Sequence, residues 1–121
     1  MVIRELNAEG RKQLKMIDLE HKEPARIIAK FSRLDVDTVQ WVDDDWLLFT
    51  TFDENDRSGK TFAAGLAAVK RDGSRIRELI KRRFETAFPQ GGSQPLEPNH
   101  YFIGMGAPGT NEIVLAEAHY N

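Results

Sequence analysis

Two β-rich runs separated by three aspartates constrain this chain more than any other feature. Thr38-Val39-Gln40-Trp41-Val42 alternates in polarity, Asp43-Asp44-Asp45 supplies a polar turn, and Trp46-Leu47-Leu48-Phe49-Thr50-Thr51-Phe52 is a second run of aromatic, β-branched and apolar residues. Such residues suit a pleated, half-buried surface, and two runs joined across a short acidic turn predict a β-hairpin. A polar loop follows at Asp53-Glu54-Asn55-Asp56-Arg57-Ser58-Gly59, then an apolar run from Phe62 to Lys70. Arg71-Asp72-Gly73-Ser74 carries the Asp-Gly pair that tight hairpins favour, and Arg75-Ile76-Arg77 alternates again beyond it.

Three other segments carry a helical period. Ile27, Ile28, Phe31 and Leu34 fall on one helical face, with Pro24 suited to a first turn. Ile76, Leu79, Ile80, Phe84 and Phe88 repeat the spacing, and Leu14, Ile17 and Leu6 do so weakly. Periodicity alone therefore predicts an α+β chain, with helices over 8–19, 24–34 and 75–88. A search for internal repeats points elsewhere. A shift of 52 residues lays Met16-Ile17-Asp18-Leu19-Glu20-His21-Lys22 on Ala68-Val69-Lys70-Arg71-Asp72-Gly73-Ser74, and Ile27-Ile28 on Leu79-Ile80. Both pieces read as strand, polar turn, strand. A slightly different offset places Tyr101-Phe102-Ile103 on Leu47-Leu48-Phe49. A period of about 40–50 residues built from four short strands is the spacing of propeller blades.

Residues 37–51 and then 65–79 resemble one TolB-like β-propeller blade. More narrowly, they resemble the N-terminal propeller of bacterial serine peptidases of the prolyl-oligopeptidase type. Residues 1–31 are similar to the last three strands of a preceding blade, with Lys15-Met16-Ile17-Asp18-Leu19 as its value–aspartate–leucine strand, and residues 95–121 to the start of a following one. The resemblance implies a mainly β fold of antiparallel four-stranded blades. One domain of propeller-type repeats would be divided into a partial blade over 1–35, a full blade over 36–88 and a partial blade over 89–121. Four blades at about 40 residues each need about 160 residues, so roughly two and a half units make an incomplete propeller. The expected partner is therefore a second copy of the chain or the remainder of a longer one. In the resembled peptidases the catalytic groups sit in a separate hydrolase domain and the propeller guards access to it. This implies a non-catalytic interaction or substrate-gating module.

Composition narrows the function classes. The 121 residues are 40% hydrophobic and 30% charged, which fits one globular domain. No apolar run approaches the roughly 18 residues of a membrane-spanning helix, so no membrane partner is expected. The N-terminal residues lack a basic flank and long apolar core, so the chain as written is expected in the cytoplasm, or in the periplasm if it is a fragment of a secreted peptidase-like protein. There is no cysteine, which removes disulfides, thiolate metal sites and cysteine nucleophiles. A formal charge of −2 argues against nucleic acid.

Recognised chemical motifs fail on their own terms. Gly59-Lys60-Thr61 has Glu54 where a phosphate loop needs glycine, and Asp53, Glu54 and Asp56 would repel a phosphate. As a calcium loop, the same stretch puts Arg57 at an oxygen-ligand position and Ser58 at the required glycine. Asp43, Asp44 and Asp45 read as a solvated turn. His21, His100 and His119 are isolated, without zinc spacing. Ser32, Ser58, Ser74 and Ser93 lie outside any nucleophile elbow. Gly104, Gly106 and Gly109 match the order of a dinucleotide fingerprint, but Pro108 and a β-like tail leave no helix to receive a pyrophosphate. No catalytic residue, cofactor or metal is expected.

What remains is surface. Lys70, Arg71, Arg75, Arg77, Lys81, Arg82 and Arg83 form the densest charge run, diluted by Asp72 and Glu78. Trp41 and Trp46 bracket the acidic turn and would face opposite sides of a regular hairpin, one in the core and one free to anchor a contact. The expected interaction surface is Trp41, Trp46, Arg75, Arg77, Lys81 and Arg82. The alternative is a stand-alone α+β protein that holds a small apolar ligand between the Ile27/Phe31 and Leu79/Phe84 helical faces and a sheet.

Overall fold

A computed structural model of the chain describes residues 1–20, 23–53, 65–81 and 94–118. These residues form nine strands and no helix: β1 (Val2–Leu6), β2 (Lys12–Met16), β3 (Arg26–Ala29), β4 (Asp35–Trp41), β5 (Trp46–Phe52), β6 (Leu66–Lys70), β7 (Ile76–Ile80), β8 (His100–Met105) and β9 (Ile113–Glu117). They pair antiparallel, in chain order, into sheets of three (β1-β2-β3), four (β4-β5-β6-β7) and two strands (β8-β9). The fold is mainly β.

The four-stranded sheet explains why its central strands read as continuous apolar runs. Side chains alternate across a strand, so a strand buried on one face alternates in polarity, whereas one buried on both does not. In β5, Leu47 and Phe49 enter one core while Leu48 enters another; in β6, Ala67 and Val69 enter the first while Leu66 and Ala68 enter the second. The first core joins these residues to Leu14, Met16, Ile28 and Ala29 of the three-stranded sheet and to Val36. Val2, Phe31, Val39 and Ile76 pack around it, and the Phe31 and Phe49 rings lie 5.9 Å apart, tilted by 33°. The second core adds Ile80 and is flanked by Val42, Trp46, Leu79 and, from the two-stranded sheet, Phe102, Ile113 and Leu115. The four-stranded sheet is thus the middle layer of three.

Polar ties reinforce the first interface. The Lys12 amide donates to Asp35 Oδ1 at 2.9 Å, the Arg26 guanidinium to the Asp72 carbonyl at 2.9 Å, and Arg4 to the Asp37 carbonyl.

The helical expectations over 8–19, 24–34 and 75–88 are corrected. Their described parts hold β2, β3 and β7. Within β3, Ile28 is buried at 6% exposure while Ile27 stands 49% exposed, so adjacent isoleucines take opposite sides, which one helical stripe cannot do. Non-local pairing overrides the local period: β3 finds hydrogen-bond partners on β2, and β7 on β6. Phe84 and Phe88, on which the third helix depended, lie outside the described residues. With strands in the described parts of all three segments, the α+β alternative loses the Ile27/Phe31 helical face on which its apolar site rests.

Candidate functional site

The acidic turn is built by its first residue. Trp41 stands opposite Leu47 and the Val42 amide donates to the Trp46 carbonyl at 2.9 Å, closing a three-residue loop. Asp43 Oδ1 accepts the amides of Asp45 at 2.7 Å and Trp46 at 2.8 Å, so one side chain fixes the loop from within. The neighbouring hairpin forms in the same way. Asp72 Oδ1 accepts the Ser74 amide at 2.9 Å, the Gly73 amide donates to the Lys70 carbonyl at 2.8 Å, and Gly73 takes a left-handed φ of +77°. Hydrogen bonds from the Ser74 side chain and amide hold the Asp72 carboxyl below its usual range; desolvation opposes them, and the charges of Lys70 and Arg26 add a weaker pull in the same downward direction.

Register brings the two turns together. Trp46 pairs with Lys70 across β5 and β6, so the next residue, Arg71, falls beside the acidic loop. Its amide donates to the Asp45 carbonyl at 2.7 Å, its guanidinium donates to the Asp44 carbonyl at 3.1 Å, and the same guanidinium lies 5.9 Å from the centre of the Trp41 ring. That distance is at the outer edge of a cation–π contact. Trp41, Val42, Asp43, Asp44 and Arg71 line an open cleft of about 380 Å³. Asp43 is ordered by the turn, Arg71 by two hydrogen bonds to it, and Trp41 keeps 37% of its surface exposed.

The surface residues expected from the sequence separate into different places. Trp41 lines the cleft, while Trp46, half-buried, packs on the second core. Arg75 and Arg77 are exposed, flanking and entering β7, and Lys81 is paired with Glu97 at 3.0 Å. Arg82 lies outside the described residues. Arg71, a member of the charge run in the sequence, is the residue that joins Trp41. Its position before the Asp-Gly turn was visible, but its partner depends on the β5–β6 register.

The other sequence candidates resolve as structure. Gly104 sits in β8 beside a register shift, Gly109 has a left-handed φ of +81°, and a Cβ on Gly106 would come within 2.8 Å of Glu112. These glycines shape the β8–β9 hairpin, not a strand-to-helix turn. His100 Nδ1 lies 2.9 Å from the Glu97 carbonyl and Nε2 lies 4.0 Å from Glu117. His21, His119, Ser58, Ser93 and the Gly59-Lys60-Thr61 stretch lie outside the described residues. Among the described residues, no three His, Asp or Glu side chains gather as a metal ion would require, and no helix is long and apolar enough to cross a membrane. No protein-family model, curated protein or solved structure matches the chain.

Proposed function

We propose that the chain is a propeller-type repeat module, TolB-like and similar to the accessory domain of prolyl-oligopeptidase-type peptidases, that acts through binding or gating surfaces without a reaction centre of its own. The observation that carries this reading is the stack itself. A four-strand antiparallel meander has both faces buried, by a three-stranded sheet on one side and a two-stranded sheet on the other. Successive sheets in chain order, each packed face to face on the next, are the arrangement of neighbouring blades. Among the described residues the outer sheets hold three and two strands, and a second copy or the remainder of a longer chain would supply the further strands of complete blades. Trp41, Arg75 and Arg77 are exposed candidates for contact on the middle sheet.

The non-catalytic part is tested with a fluorophosphonate probe and a panel of peptide esters. The chain is expected to leave the probe unattached and the esters unhydrolysed above buffer. Stoichiometric labelling of one serine, with turnover lost on its replacement by alanine, would overturn it.

A further inference from the structure

The cleft at the Trp41 hairpin has a chemical character that selects among ligands. Its walls carry two carboxylates, Asp43 and Asp44, one guanidinium, Arg71, and one exposed indole, Trp41. An anion entering it meets both carboxylates, which outnumber the single guanidinium. A cation gains from the carboxylates, but at the indole it finds Arg71 already 5.9 Å from the ring centre, and two cations on one π-system repel each other. A purely apolar ligand would strip water from three charged groups without replacing their hydrogen bonds. A neutral ligand with several hydroxyls and an apolar face avoids all three penalties.

We infer that the cleft is a binding site for a neutral saccharide. One face of a pyranose presents C–H groups, which carry partial positive charge and match the negative face of an indole, and Trp41 lines the cleft with 37% of its surface exposed. Sugar hydroxyls donate to the Asp44 carboxylate, which has no hydrogen bond or ion pair among the described residues, and to Asp43, whose Oδ1 is held by the turn amides. The guanidinium donates to the Asp44 carbonyl through Nη1 and retains further N–H groups for hydroxyl oxygens. The volume, about 380 Å³, lies at the small end of ligand sites, where a mono- or disaccharide fits, and the open shape suits weak, reversible binding. The site is built wholly from the β4–β5 hairpin and the start of the β6–β7 turn. It therefore stands whether or not the sheets belong to a propeller or the chain lacks catalysis.

Saturation-transfer NMR on the intact chain tests this with methyl α-glucopyranoside, methyl α-mannopyranoside, methyl β-galactopyranoside and maltotriose. At least one is expected to show saturable transfer with a Kd of about 0.1–10 mM. Trp41→Ala should abolish the transfer, and Asp44→Asn should weaken it about tenfold while leaving the β-sheet circular dichroism unchanged. Asp44 is exposed and its carboxylate is unpaired among the described residues, so that variant remains informative if the tryptophan variant fails to fold. The inference is overturned by absent saturation for all four sugars up to about 100 mM, or by transfer that persists unchanged in the folded variants. Displacement of the sugar signal from the site by methylguanidinium or by inorganic phosphate at lower concentration would also overturn it, and would reassign the cleft to a cation or an anion.

Discussion

Gly73 shows how a single turn residue is fixed both by its own backbone and by a neighbouring sheet. Its φ of +77° is costly for any residue with a Cβ, and a Cβ placed there would lie 3.4 Å from Cα and Cγ2 of Ile28 in β3. Gly73→Val is expected to lower unfolding free energy by about 1–2 kcal/mol for the conformation alone, with further loss from the Ile28 contact. Urea denaturation would show this as a lower midpoint at unchanged slope. The residue before it sets a pH dependence. Because the Asp72 carboxyl is held below its usual value of 3.8 in the folded chain, the stability it contributes is complete above that value and is lost as pH falls through the lower, folded one. Glu5, held down first by its hydrogen bond with Lys15 and then by Gln13, acts in the same direction. Asp72→Asn should therefore flatten the acid limb of the stability curve, with the difference from wild type shrinking as pH drops; urea midpoints from about pH 6 to about pH 3 measure it. Both turn residues were legible in the sequence, because an Asp-Gly turn is specified by local chemistry. The contact of Arg71 with Trp41 was not, because it joins residues thirty positions apart through a register that no local pattern fixes.

At the scale of elements, the β4–β5 hairpin and the Asp-Gly turn could be read directly, whereas β3 and β7 carried a competing helical period. The difference is physical. In 38–52 the two runs share a turn, so sequence neighbours are also spatial neighbours. Ile27, Ile28, Phe31 and Leu34 instead follow a helical spacing in a segment whose four strand residues are held by β2. The two readings differ sharply for one pair of substitutions. On a helical stripe both Ile27 and Ile28 would face the core, whereas in β3 only Ile28 does. Ile27→Lys is expected to change stability by no more than about 0.5 kcal/mol, as an exposed substitution does. Ile28→Lys places an unpaired ammonium in the first core among Leu14, Val36 and Phe49 and should unfold the chain or cost at least about 3 kcal/mol. Thermal melts of the two variants, followed by circular dichroism, separate the alternatives. Equal damage from both would contradict the strand.

Across the whole molecule, the two ends of the stack differ in how they meet water. On the outer face of the three-stranded sheet an exposed apolar side chain, Ile27, stands beside a polar network: Gln13, only 4% exposed, donates to Glu5 Oε1 at 2.8 Å and accepts from Asn7 at 3.1 Å, while Lys15 pairs with the same carboxylate at 2.7 Å. The two-stranded sheet leaves Tyr101, Ile103 and Val114 between 44% and 60% exposed on strands whose other residues reach the second core. A stack of repeats stays soluble when its terminal unit has a polar outer face, and an apolar one invites a further layer. If the stack lengthens, it lengthens from the β8–β9 end. Analytical ultracentrifugation of the 121-residue chain is therefore expected to show mass-dependent association that Ile103→Lys reduces about tenfold or more, because each association would then bury an ammonium. Ile27→Lys, on the other outer face, should leave the association unchanged. Equal loss from both variants would mean that both ends of the stack take part, as in a head-to-tail ring. An effect confined to Ile103 would assign growth to one end, and that asymmetry follows from the contrast between the Gln13 network and the exposed Tyr101, Ile103 and Val114 of the β8–β9 face.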